Sequence, residues 1–314
     1  MASAVIAGVR RLVPAVHEGE GVAFSWPVAL LSTAWLAGLT YAWYGARGAA
    51  WTATPLVPAL FAGGAALFFL LVWIFRGRAP WQLRRETVVV AVTAIALLAV
   101  LWLWGREGTF RRWAADRSFE GQLAPLYPFF YFVASCVLWR SVLPLAIGRA
   151  LGRPSSDYGW RFRGTFDLWW VYLLAVLAVV PFVVWASTQA SFLARYPLCN
   201  PIIRDESLAW GHFLAYQLSY GLVFASGESF WRGYMLFGLA RELGYLSLFF
   251  MVGPYVISHF GKPMPETFGA IATGLFLGYL ALRHRSFWLG VAAHWSIALM
   301  MDVFALLRRG VTLT

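Results

Sequence analysis

Nine apolar runs, each near or above the length that crosses a bilayer, limit what this chain can fold into. They fall at 24–45, 55–75, 87–104, 125–148, 167–187, 208–226, 245–259, 266–282 and 287–307. A hydrocarbon layer of about 30 Å takes roughly 20 apolar residues of helix. An open sheet or bare loop at that depth would leave backbone groups without partners. The runs therefore predict an all-α, polytopic transmembrane bundle of eight or nine spans. The seventh and eighth runs are short for the layer and have to be tilted, broken or shielded by neighbours. Composition agrees, with 61% hydrophobic and only 12% charged residues. Soluble domains carry about 25% charged residues, so this chain cannot coat a soluble globule of 314 residues. A cytosolic enzyme and a disordered chain are both excluded.

The formal charge is +11, with a single lysine, Lys262, among 25 basic residues. Nearly all the arginines sit between apolar runs, as do Arg76, Arg78, Arg84 and Arg85. Cytoplasmic loop bias and anionic headgroups account for them, so lipids are expected partners and nucleic acid is not. A modest basic excess favours an inside N-terminus, although the loop at 105–124 then falls on the wrong side. Cys136 and Cys199 form neither a disulfide framework nor a metal-ligand spacing. Glu18 and Glu20 interrupt the first 23 residues where a signal peptide would be apolar, which makes the first span the expected insertion signal. Trp51, Trp81, Trp104 and Trp113 lie near span ends, as interfacial aromatics do.

Ionisable residues divide the chain. The first five spans contain Arg140 and little else, with Asp167 at a span mouth, whereas the last hundred residues hold His212, Glu228, Arg232, His259, Glu266, His294 and Asp302 in or beside apolar segments. The polar loop 188–207 marks the expected boundary between residues 1–207, the N-terminal helices, and 208–314, a four-helix core of catalytic type. Charged groups inside a membrane are costly and are kept where they are paired, hydrated or used. Glu228 and Arg232 are four apart and meet on one helix face; they form either a structural ion pair or a carboxylate held for catalysis. His259 ends a short span beside Gly and Pro signals. His294 lies mid-span, and Asp302, eight residues later, is expected on roughly the same face. Two histidines and a carboxylate can activate water directly or through a metal. No HExxH helix argues for zinc, so no cofactor is expected, and a divalent metal stays open. His212 lies about 24 Å along the helix from Glu228, and is expected to pack or sit at the interface. Glu266 follows Pro263 and Pro265 and complements the dipole of the helix it opens. Gly269, Gly274 and Gly278 read as packing positions. The segment 229–243 reads as a helix end turning into an amphipathic piece.

The order GESFWRGYMLFGLARELG, YVISH, a glycine-dotted helix, then FWLGVAAHWSIALMMD resembles the CAAX-protease and bacteriocin-processing family of intramembrane endopeptidases. The resemblance covers about 208–307. It aligns Glu228 with the second of two adjacent glutamates and Arg232 with the arginine that follows them. Tyr255 and His259 match an aromatic-x-x-x-His motif, and His294 matches the last histidine. The resemblance implies that a glutamate and the middle histidine activate water, while the last histidine and an Asn or Asp four residues later hold the oxyanion. Two positions depart from the pattern. Gly227 replaces the first glutamate and Ala298 replaces the Asn or Asp. Asp302, one turn further on, is the expected substitute.

Two readings of function follow, and a third stands behind them. The first is an intramembrane endopeptidase that cuts a membrane-associated or lipidated peptide, with Glu228, His259 and His294 as catalytic residues and Arg232, Tyr255 and Asp302 in support. The second is a catalytically inactive relative acting as a membrane chaperone, immunity factor or regulator. The third, a proton-coupled transporter, lacks the paired broken helices of an inverted repeat. The expected setting is the bacterial inner membrane.

Overall fold

The computed structural model describes residues 21–45, 56–162 and 165–314; Glu18, Glu20 and Trp51 lie outside them. Every one of the nine apolar runs is helical. The helices are α1 (Trp26–Gly45), α2 (Leu56–Arg76), α3 (Arg85–Trp104), α4 (Ala124–Ala150) and α5 (Trp169–Ala186), followed by α6 (Trp210–Glu228), α7 (Leu246–Ile257), α8 (Met264–His284) and α9 (Trp288–Arg308). Among the described residues, six of them (α2, α3, α4, α5, α8 and α9) are long and apolar enough to cross a membrane unaided. The protein is an all-α, multi-pass membrane bundle. Among the described residues, the remainder comprises a helical continuation of α6, a seven-residue helix at Glu107–Trp113, short turns and a two-residue parallel pairing of β1 (Ser207–Leu208) with β2 (Thr312–Leu313).

Burial separates the lipid-facing helices from the central ones. In α5 only Tyr172 and Val183 are buried, and Leu174, Leu177 and Phe182 point outward, as suits a helix bathed in hydrocarbon. In α7 ten of twelve residues are buried. Its short length is therefore explained by shielding: α1, α2, α8 and the segment Ser229–Phe237 surround it. Gly274 and Gly278 of α8 let that approach happen, because a Cβ would lie 3.0 Å from Tyr255 at the first and 2.7 Å from Leu248 at the second. Gly269 has no such neighbour, which corrects its reading as a packing position.

The segment after Glu228 also differs from the amphipathic piece expected. The helix runs on without a break through Ser229–Phe237, with the wider π-type turn, and then Gly238–Leu243. All nine residues of the wide stretch are buried. One apolar core joins Phe230, Trp231, Met235 and Leu239 of this segment to Phe61 and Phe68 of α2, Val90 and Leu97 of α3 and Met251 of α7. The helices of the first half therefore wall in the segment that carries Glu228 and Arg232.

Candidate active site

Glu228 closes the regular part of α6 and turns toward α9. Its Oε1 accepts hydrogen bonds from Arg232 Nη1 at 2.7 Å and from His294 Nδ1 at 3.0 Å. The carboxylate and the guanidinium are almost completely buried, at 1% and 0% exposure, whereas the His294 side chain keeps 24%. A carboxylate oxygen can only accept, so His294 is protonated on Nδ1 when Glu228 is ionised, and its Nε2 is then the ring's free acceptor. Phe224 lies 4.7 Å from the imidazole, ring centre to ring centre, and fixes the other face.

Arg232 carries the network onward to α7. Its guanidinium carbon lies 4.6 Å from the centre of the Tyr255 ring, a cation–π contact that offsets part of the cost of Nε and Nη2, which are buried without hydrogen-bond partners. Tyr255 then meets His259, with ring centres 4.7 Å apart. The His259 Nδ1 lies 2.8 Å from the Tyr255 carbonyl oxygen. That oxygen also can only accept, so His259, like His294, presents Nε2 as its basic atom. The structure thus joins His294, Glu228, Arg232, Tyr255 and His259 into one chain of contacts across α9, α6 and α7.

Asp302 is not part of that chain. Its Oδ2 accepts from Tyr216 Oη at 2.7 Å and from Gln217 Nε2 at 2.9 Å, on the first half of α6, about three turns before Glu228. Eight residues turn the helix about 80° past two full turns, enough to send Asp302 toward a different neighbour. Glu228, not Asp302, orients the His294 imidazole, which corrects the expected supporting role. Asp302 faces the loop before α6 instead. Burial first, and then this carboxylate, push the Cys199 thiol in that loop up to about 12. Asp302→Ala should strand two buried donors and lower stability by about 1–3 kcal/mol. An unchanged thermal midpoint in detergent would refute that structural role.

Sequence reasoning passed over Gly290, one turn before His294. A Cβ there would lie 2.8 Å from Glu228 Oε2, so α9 comes down on the carboxylate only because residue 290 has no side chain. The available signal was a glycine at the i−4 position from a mid-span histidine. Gly290→Ala should push the carboxylate away from His294 and cost about 1–3 kcal/mol of stability through overpacking. A variant as stable as the parent, with its histidine titration unchanged by NMR, would contradict this contact. Glu266, read as a dipole partner, is more specifically tied: Lys262 Nζ reaches it at 2.7 Å and Tyr196 Oη at 2.9 Å.

Three buried motifs in chain order, converging as they do here, can be compared with families that carry them. Residues 209–300 match the family model described as Rce1-like, type II CAAX prenyl endopeptidase. The match takes in Glu228, Arg232, Tyr255, His259 and His294 and stops before Asp302, the residue that the geometry also leaves out. No curated protein and no solved structure matches the chain. Among the described residues, no three His, Cys, Asp or Glu side chains converge as metal ligands.

Proposed function

We propose that the protein is an intramembrane peptidase resembling the type II CAAX prenyl endopeptidases, acting on a membrane-associated peptide. The Glu228–His294 hydrogen bond carries this reading. A buried carboxylate fixes the Nδ1 proton of a histidine that is itself reachable, which leaves Nε2 free to take a proton from water as it attacks a carbonyl. The developing imidazolium is stabilised by the carboxylate it already touches. The Nε2 proton that His294 gains can then pass to the leaving amine, and His259 presents a second Nε2 able to accept a hydrogen bond from the attacking water. Arg232 holds the Glu228 carboxylate in place through its 2.7 Å hydrogen bond.

A second reading has one specific observation in its favour. The position of the family's first glutamate is Gly227, so one of the acids that the resemblance implies is missing. An inactive scaffold that binds membrane peptides without cutting them would tolerate that loss. Reconstituted cleavage of a panel of membrane peptides separates the two. Fragments released by the wild type and lost in His294→Ala support the peptidase. Fragments that arise only with Gly227→Glu support the inactive scaffold. The bacterial inner membrane is the setting we propose for either.

A further inference from the structure

His259 stands outside the helix that brings it to the site. Helix α7 ends at Ile257, and the histidine lies in the turn that follows. That turn closes at Gly261, whose φ of 96° suits glycine and strains other residues. The imidazole itself is tied by the 2.8 Å contact of Nδ1 with the Tyr255 carbonyl oxygen. A side chain on a turn is placed only as well as the scaffold that holds the turn.

The last turn of α1, far outside the matched stretch 209–300, supplies such a hold. Trp43 stacks on Phe260, the residue after His259, with ring centres 4.5 Å apart and planes 24° from parallel. Beside it, Tyr44 Oη donates to the Lys262 carbonyl oxygen at 2.6 Å and lies 2.6 Å from Thr267 Oγ1. Thr267, on α8, donates in turn to the His259 carbonyl oxygen at 3.1 Å. Phe260 and Thr267 are both buried, at 3% and 0% exposure, so these contacts fix the turn inside the protein. We infer that the end of α1 is a clamp on the histidine turn, with Trp43 and Tyr44 as positioning residues that set where His259 Nε2 stands. The use of that nitrogen in cleavage rests on the peptidase reading; the hold on the turn does not. A misplacement of about 1 Å at a reacting group costs about 10²-fold in rate. Helix α1 thus governs turnover through Phe260, Lys262 and Thr267, and it works with the 208–314 core rather than with the other N-terminal helices.

The test uses the full chain in phosphatidylcholine nanodiscs, with the histidine ring nitrogens labelled with ¹⁵N. The chain has five histidines, and the signals lost in His259→Gln and in His294→Gln assign the two that matter. Tyr44→Phe and Trp43→Leu should each displace the His259 signals and leave those of His294 in place. On a membrane peptide that the wild type cuts, both should lower kcat by about tenfold with KM within about twofold, because the loss falls on positioning rather than on binding. Trp43→Phe keeps an aromatic face against Phe260 and should restore the signals and most of the turnover. Tyr41→Phe, on the same helix at a residue 69% exposed, should match the wild type in both. His259 signals that stay put in both variants, or that move together with those of His294 as in a general loosening, overturn the clamp. Turnover that is unchanged although His259 has moved overturns the positioning role. Tyr44→Phe removes a single oxygen and keeps the test alive if Trp43→Leu fails to fold. Displaced His259 signals in a protein whose wild type cuts no peptide keep the clamp and remove the peptidase reading. Cleavage by the wild type with His259 signals unmoved in the variants does the reverse.

Discussion

Glu228→Gln should lower cleavage of a membrane peptide by about 10²–10⁴-fold, the range expected when the carboxylate behind a general base is lost. The substitution also leaves Arg232 without its negative partner, so a loss of activity alone could reflect a loss of fold. A second variant separates the causes. Glu228→Gln combined with Arg232→Met removes both charges, and exchanging a buried pair for apolar volume is often neutral or stabilising. The double variant should therefore recover thermal stability close to that of the parent while cleavage stays absent. Cleavage that persists in Glu228→Gln, or returns with stability in the double variant, would refute the role given to this carboxylate.

Arg232→Ala is expected to be the most destabilising single change in the bundle. Arg232 is completely buried, its Nη1 sits 2.7 Å from Glu228 Oε1, and its partner is 1% exposed. Removing one member of such a pair leaves an uncompensated charge and typically costs about 3–5 kcal/mol. Arg241, nine residues on, offers the control: its side chain is 44% exposed and stands 3.8 Å from Glu86 Oε1, so Arg241→Ala should cost less than about 1 kcal/mol. Thermal unfolding of both variants in the same detergent checks the contrast. Equal midpoints would mean that the buried pair contributes no more than a surface one.

The bundle was legible in the sequence because its cause is local. Each apolar run declares a helix by length alone, and all nine did. The Glu228–Arg232 pair was legible for the same reason, since a spacing of four on a helix fixes the meeting of two side chains. His294 and His259 came from motif order. What the sequence could not give was the partner across helices. Asp302 was aimed at His294 by a spacing of eight, but Tyr216 and Gln217, 86 and 85 residues earlier, claim it. Gly290 under Glu228 and Tyr44 beside Lys262 are likewise contacts between distant segments, visible only once α1, α6, α7 and α9 are laid side by side.

The shortness of α7 has a consequence for how deep His259 sits. Twelve residues of helix rise only about 18 Å, far less than the roughly 30 Å of a typical hydrocarbon layer. Helix α7 therefore cannot reach from one aqueous face to the other, and the turn that carries Ser258, His259 and Lys262 depends on what surrounds it. Lys262 has its counter-charge in Glu266 at 2.7 Å. Irregular backbone within a membrane survives only where protein encloses it or water reaches it, and here α1, α2, α8 and the segment after Glu228 do the enclosing. Neighbouring helices rather than bilayer thickness set the level of His259.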